Sequence, residues 1–363
     1  MIVYIHIPFC HRICPYCSFY KHTPGDTDKR AFIQAILKEA RSVEEVSNLF
    51  IPTLYLGGGT PSMLSPSHLT ELFEGLHEAL PLNKTHITLE ANPATFGHAK
   101  ATLFKELGVN RTSLGIQSFS PHVLETLGRE HNPAQAAESV HILRAAGMEE
   151  TNIDLMFSIP GQSLTDWQQT LDTAIGLEPD HISAYNLTYE EDTPFFDSLK
   201  KGRYHDSEDT NAEMFTLAHE KLTTAGFRHY ETSNYALPGK ESQHNLGYWQ
   251  GHDYLGLGPS AVSTVRGKRW KNLPDTAAYI HAINTVGHAM SEAETIDTEA
   301  FRIERIALLL RTTEGLPEKY LADSPEGVVK QLIGNKMAEM IDGRLRLLNE
   351  GTMLVDAIAE SLL

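Results

Sequence analysis

Six short apolar runs, separated by longer amphipathic stretches, occupy the chain from residue 1 to about residue 190. No other feature restricts its folding as strongly. The runs are VYIHI (3–7), TLYLGG (53–58), HITLEA (86–91), TSLGIQ (112–117), NIDLMF (152–157) and HISAYNL (181–187). Their Val, Ile, Leu and Tyr content predicts strands, nearly continuous in apolar character as parallel strands buried on both faces are. Between them, residues 28–47 carry Phe32, Ile33, Ile36 and Leu37 at helical spacing, and residues 66–80 carry Leu69, Leu72, Phe73 and Leu76. Residues 133–146 and 164–177 read the same way, with Pro66 and Pro133 near helix starts, where proline is tolerated. Strand–helix alternation repeated six times predicts a parallel sheet with right-handed crossovers. Six units fall short of the eight of a closed barrel. An open, partial barrel is one solution and a doubly wound sheet the other. Both collect ligands at the C-terminal ends of the strands.

After about residue 205 the alternation fades. Residues 207–225 read as a helix, 228–265 as irregular, and 275–363 mostly as helices with a short β-like segment, RLRLL (344–348). The expected organisation is an α/β barrel domain over residues 1–240 and a smaller, mainly helical domain over 241–363, with HNLGYW (244–249) at the junction.

The 363 residues suffice for that pair of domains. With 30 Lys and Arg against 47 Asp and Glu, the net charge is −17. A chain this acidic is a poor match to nucleic acid, whose phosphates demand a basic face. No apolar run approaches the roughly 20 residues needed to cross a bilayer, and MIVYIHIPFC lacks the basic start of a signal peptide. The expectation is a cytoplasmic protein that leaves room for a membrane-associated partner.

All three cysteines lie within eight positions: Cys10, Cys14 and Cys17. Their odd number excludes a self-contained disulfide framework. Three clustered thiols are soft ligands suited to an iron–sulfur cluster or zinc. With no fourth cysteine, one metal position of a cluster stays open, the mark of a site that binds a ligand. A structural zinc completed by His11 or His6, stabilising a binding protein without redox chemistry, is the alternative. The spacing Cys-x3-Cys-x2-Cys, with Tyr16 before the last cysteine, resembles the signature of the radical S-adenosylmethionine (radical SAM) enzymes. That resemblance implies a radical SAM partial (β/α)6 barrel and a [4Fe-4S] cluster on Cys10, Cys14 and Cys17. The amino and carboxylate groups of S-adenosylmethionine would chelate the open iron.

Further motifs accompany the cysteines. LYLGGGTPS (54–62) places three glycines after a strand, exposing backbone to a close ligand. Glu90 in TLEANP, Gln117 in GIQS and Asp154 in NIDLMFSIPGQ put polar side chains at strand ends, and Arg129 sits in LGREH. Such groups are costly to bury unless paired, with each other or with a ligand. Together with Tyr4, Tyr16, Gly58, Gly59 and Thr60, they are similar to the adenosylmethionine-binding positions of the coproporphyrinogen oxidase-like branch of the family. The resemblance runs from YIHIPFC to YEEDTP and points to the branch shared by the oxygen-independent coproporphyrinogen III oxidases and the HemW heme chaperones.

Two features bear on that choice. The oxidases carry a further Cys two places after the third, where this chain has Phe19. HNLGYW resembles the H-N-x-x-Y-W motif associated with heme binding in the chaperones. His244 is a sensible axial ligand, Tyr248 and Trp249 could pack on a porphyrin, and Asn245 could orient the imidazole. On six residues alone, a histidine and two aromatics stabilising an irregular loop at the domain junction is the favoured reading; joined to the cysteine motif and the missing fourth Cys, heme binding becomes the favoured one. The resemblance therefore implies a heme carrier that binds the cluster, S-adenosylmethionine and heme and hands heme to an acceptor apoprotein such as a respiratory heme enzyme. Oxidative decarboxylation of coproporphyrinogen III is the alternative activity.

Overall fold

The computed structural model describes residues 1–42, 50–348 and 350–363. The six expected strands are present: β1 Ile2–Ile7, β2 Thr53–Gly58, β3 His86–Ala91, β4 Arg111–Gln117, β5 Glu150–Phe157 and β6 His181–Asn186. They pair in parallel in the order of the chain, β1 to β6. An order that never reverses sends every right-handed crossover to the same side. A doubly wound sheet reverses its order at a switch point, so this is the partial barrel. It does not close: β1 borders Tyr254–Leu257 (a later strand, parallel), and β6 borders Asn234–Ala236 (antiparallel).

One consequence differs from the expectation of strands apolar on both faces. Because the helices cover only the outer face, the strands alternate. Val3, Ile5, Ile7, Leu54, Leu56, Leu114, Ile116, Ile153 and Leu155 are completely buried beneath the helices. The positions between them are Tyr4, His6, Tyr55, Glu90, Ser113, Asn152 and Asp154, which by the two-residue period of a strand line the inside. The inner face is polar, and that face carries the site.

The helices begin where the sequence signals them. Ser65, Asn132 and Ser163 cap Pro66–Ala79, Pro133–Ala145 and Leu164–Gly176, the last two with full capping boxes. Helix 28–47 is present as Lys29–Ser42, and the expected residues 43–47 lie outside the described residues. Residues 207–225 form the helix Glu208–Thr224.

The stretch expected to be irregular, 228–265, is ordered as four short strands, β7 Arg228–Glu231, β8 Asn234–Ala236, β9 Tyr254–Leu257 and β10 Val262–Val265, and the helix Gln243–Trp249. Strands of three or four residues are too short to show a period of two. With β11 Lys268–Asn272 and β12 Met290–Thr295 they extend both edges of the barrel into one sheet of twelve strands. A separate core of Ile306, Leu316, Leu332, Leu345, Ile358 and their neighbours holds the C-terminal helices on a three-stranded sheet. There RLRLL becomes the strand Arg344–Leu347, entered through Asp342 and Gly343, both at positive φ as a tight hairpin requires.

The edge extension is fastened by a buried carboxylate. Glu39 accepts hydrogen bonds from Gly258 N (2.9 Å), Asn272 Nδ2 (2.6 Å) and Tyr279 Oη (2.6 Å). Burial pushes its carboxyl up to about 7, against the three donors. A folded-state value above the unfolded one means that this stability is fully present below about pH 4.5 and is lost as pH rises through about 7. Glu39→Gln is therefore expected to flatten the stability–pH profile between those limits by about one proton's worth of slope. Urea unfolding across that range checks it, and an unchanged slope would exclude Glu39 as its source.

Candidate cofactor site at the barrel mouth

The cysteine loop leaves the C-terminal end of β1 and is clasped by backbone on both sides. His22 N donates to Pro8 O (2.9 Å) and Cys10 N to His22 O (3.0 Å). From the glycine turn after β2, Gly59 N donates to Ile7 O and Thr60 N to Phe9 O, both at 2.8 Å. The glycines are needed for this approach. Gly58 has φ +103°, and a Cβ there would lie 2.4 Å from the His6 ring. At Gly59 a Cβ would lie 2.7 Å from Phe9 O and 2.8 Å from Ile7 O.

Side chains then reach the sulfurs. Thr60 Oγ1 donates to Cys10 Sγ (3.7 Å), and Arg129 Nη1 donates to Cys14 Sγ (3.6 Å). Arg129 Nη2 also bonds Asn92 Oδ1 (2.7 Å) and Gly115 O (2.5 Å), while Asn92 Nδ2 donates to Thr60 Oγ1 (2.9 Å). Lys21 Nζ bonds Cys17 O. Asn92 and Lys21 are absent from the sequence-based set; Asn92 stands two places after Glu90 in the same LEANP segment, which is the signal that could have found it. Cys14, Thr60, Asn92 and Arg129 line one cleft.

Burial pushes the Cys10 thiol up to about 11, opposed by the Thr60 hydrogen bond and reinforced by Cys17 and Cys14. Burial likewise raises Cys17, opposed by Lys21. The three sulfurs thus lie within electrostatic reach of one another. Metal binding here must displace protons.

Tyr16 packs its ring on Phe195 at 6.1 Å, and Phe195 N donates to Pro15 O (3.2 Å), so the segment after β6 is laid against the cysteine loop. Zinc completed by histidine finds no support. His6 spends both ring nitrogens, Nδ1 on Tyr4 Oη (3.0 Å) and Nε2 on Tyr20 O (2.7 Å), and His11 is exposed. Among the described residues no three His, Cys, Asp or Glu side chains converge as one ion requires. A cubane spreads its thiolates over separate irons.

On the inner face below the mouth, Glu90 accepts from Tyr55 Oη (2.8 Å) and Gly58 N (3.1 Å). Burial pushes its carboxyl up to about 7, with the nearby Asp154 adding to the rise. Asp154, also raised by burial, accepts from Ser113 Oγ (2.9 Å) and Asn152 Nδ2 (2.8 Å). Two carboxylates under that cost offer acceptors to hydroxyl or ammonium donors. Gln117 stands at φ +70°, where β4 skips a residue so that Gln117 pairs with Leu155 of β5. Left-handed backbone at a non-glycine is a strained feature of the kind found at binding sites. Tyr4 stacks on Tyr55, rings 6.2 Å apart.

The structure brings together Cys10, Cys14, Cys17, Thr60, Arg129 and the glycine turn, with Glu90 joined to it through Gly58. It does not bring HNLGYW there. That segment is the helix Gln243–Trp249, at the opposite end of the barrel. His244 is 3% exposed; its Nδ1 bonds Thr53 Oγ1 (2.9 Å) at the first residue of β2, and its ring stacks on Tyr55 at 4.8 Å. Thr53, rather than Asn245, orients the imidazole. Its Nε2 is buried with no partner. Tyr248 packs edge-on against His244 (5.1 Å), and Trp249 lies under the Arg311 guanidinium (5.8 Å).

The barrel, the three-thiol loop and the glycine turn define a radical SAM protein, and residues 4–174 match the Radical SAM superfamily. The heme chaperone HemW of Bacillus subtilis is 34% identical over 324 residues, covering 88% of this chain and 86% of that protein. HemW of Escherichia coli is 39% identical over 266 residues, covering 72% and 70%. The chain belongs to the HemW heme chaperone family. The solved structure of the coproporphyrinogen III oxidase HemN from Escherichia coli shares the fold, with a TM-score of 0.85 at 21% identity over 99% of this chain and 89% of that one.

Proposed function

We propose that this chain is a heme carrier which holds a [4Fe-4S] cluster on Cys10, Cys14 and Cys17, binds S-adenosylmethionine beside it, and passes heme to an acceptor apoprotein, a respiratory heme enzyme being the type expected. The observation that carries the reading is the convergence of the cysteine loop, the glycine turn and Arg129 on one cleft. The donor set fits the cluster: three thiols and no fourth cysteine in the chain. When bound, the cluster supplies an open iron and one-electron chemistry.

The remaining roles belong to the chain's own groups. Arg129 neutralises a ligand carboxylate from a position already fixed by Asn92 and Gly115 O. Gly58 and Gly59 let backbone approach, Thr60 holds Cys10, and Glu90, Asp154 and Gln117 take hydroxyl and ammonium donors. Tyr4 and Tyr16 wall the inner face and the cysteine loop. In this reading the protein works in the cytoplasm, its acceptor membrane-associated.

His244 fits an axial ligand chemically. Burial lowers its ring to about 3, so the imidazole is neutral. With Nδ1 on Thr53, the unpartnered Nε2 is the atom left for iron. Its burial means that heme reaches it only when the Gln243–Trp249 helix yields, with Asn245, Tyr248 and Trp249 then facing the porphyrin. His244→Ala is expected to weaken hemin binding at least about 10-fold while leaving cluster absorbance unchanged. Unaltered affinity and spectrum would exclude His244. Anaerobic assay of the reconstituted protein with coproporphyrinogen III separates carrier from oxidase: the reading predicts no turnover, and sustained product formation would replace it. At the oxidase-specific cysteine position stands Phe19, 68% exposed.

A further inference from the structure

The two proposed ligand sites are joined through the barrel by one chain of hydrogen bonds, and its direction is fixed. Ser242, the N-cap of the Gln243–Trp249 helix, donates its N–H to Tyr230 Oη (3.1 Å). Tyr230 Oη contacts His181 Nε2 (2.8 Å), and His181 Nδ1 contacts Asn152 Oδ1 (2.6 Å). Asn152 Nδ2 donates to Asp154 Oδ1 (2.8 Å) and Ser113 Oγ (2.6 Å). An amide that turns its nitrogen to a carboxylate must turn its oxygen to His181, so Nδ1 carries the histidine's proton and Nε2 accepts from Tyr230. Every donor then points toward Asp154. Ser113, Asn152, His181, Ser183 and Tyr230 are all buried, so water does not interrupt the chain. In such a low-dielectric run, each bond polarises the next.

We propose that His181 and Tyr230 are positioning residues that couple ligand occupancy at Asp154 to the hold on the His244 helix, so that S-adenosylmethionine bound at the mouth raises the protein's affinity for heme at the far end. The inference rests on the functional reading above. A ligand hydroxyl or ammonium donating to Asp154 competes with the Asn152 amide. The pull on Asn152, His181 and Tyr230 slackens, and with it the bond that ties the backbone of Ser242 to the barrel. The helix that buries His244 then yields more readily. By linkage, heme raises affinity for S-adenosylmethionine by the same factor.

The test is hemin titration of the anaerobically reconstituted full chain, by Soret absorbance, with and without saturating S-adenosylmethionine. Wild type is expected to bind hemin about 10-fold more tightly with the cosubstrate present. Tyr230→Phe removes the central hydroxyl without changing shape. It should still bind each ligand alone, with the ratio cut below about 2-fold. His181→Leu should behave likewise, and His181→Gln, which keeps an N–H on one side and an acceptor on the other, should restore the ratio. A structural role alone would alter both titrations together and leave their ratio intact. Wild-type protein that binds both ligands with a ratio of one, or Tyr230→Phe with the full ratio, overturns the coupling and leaves the carrier reading standing. Failure of wild type to bind either ligand removes the carrier reading and the coupling with it.

Discussion

Cys14→Ala, purified and reconstituted without oxygen, should lose its iron–sulfur absorbance entirely, falling from about four irons per chain to near none. Two thiolates cannot hold three corners of a cubane, and no spare thiol can take over, Cys10, Cys14 and Cys17 being the only cysteines of the chain. The same variant should fold. The cysteine loop lies at the barrel mouth, outside the apolar layer that Val3, Ile5, Ile7, Leu54, Leu56 and Phe73 form with their helices. Cys14 itself is only partly buried, and Arg129, which donates to its sulfur, keeps Asn92 and Gly115 O. Thermodynamic stability should change by less than about 1 kcal/mol. Iron and sulfide counts beside urea unfolding check both halves. A full cluster in this variant would remove Cys14 from the ligands, and loss of folding would place it in the framework.

Gly59→Ala should damage the site through a single methyl group. The added carbon would press on Phe9 O at 2.7 Å and Ile7 O at 2.8 Å, and backbone carbonyls held by hydrogen bonds cannot swing aside as a flexible side chain can. Relief requires the glycine turn and the cysteine loop to part, breaking the bonds from Gly59 N to Ile7 O and from Thr60 N to Phe9 O. The expected cost is about 3 kcal/mol, together with a lowered cluster content, because Thr60 moves away from Cys10. Gly176→Ala is the control. No atom lies within 4 Å of a Cβ there, at the end of Leu164–Gly176, and the change should be neutral or slightly stabilising. Equal effects of the two substitutions would mean that the close approach at the mouth does not matter.

The barrel is legible in the sequence because each of its units is local. The strands expected at 53–58 and 86–91 have those bounds, and 152–157 lies within Glu150–Phe157. A capped helix after a strand is likewise written in neighbouring residues. The cysteine spacing is legible for the same reason, since its chemistry fits in eight positions. What is not legible is pairing across the chain. β9 joins β1 in parallel from some 250 residues away through strands too short to show periodicity. Thr53 meets His244, and Asn152 meets His181 and through it Tyr230, with no pattern near any of them to announce it. The polar residues at Glu90 and Asp154 stand out singly in the sequence. Only the unreversed strand order shows them to be part of a whole polar face, continuous from the cysteine loop to the helix that buries His244.

Anaerobic transfer of hemin from the loaded, cluster-bearing protein to a heme-free acceptor enzyme, followed by acceptor activity, measures the central claim most directly. The account predicts saturable loading near one hemin per chain, followed by gain of acceptor activity faster than with free hemin. Loading that never saturates, or an acceptor that gains nothing over free hemin, would contradict it.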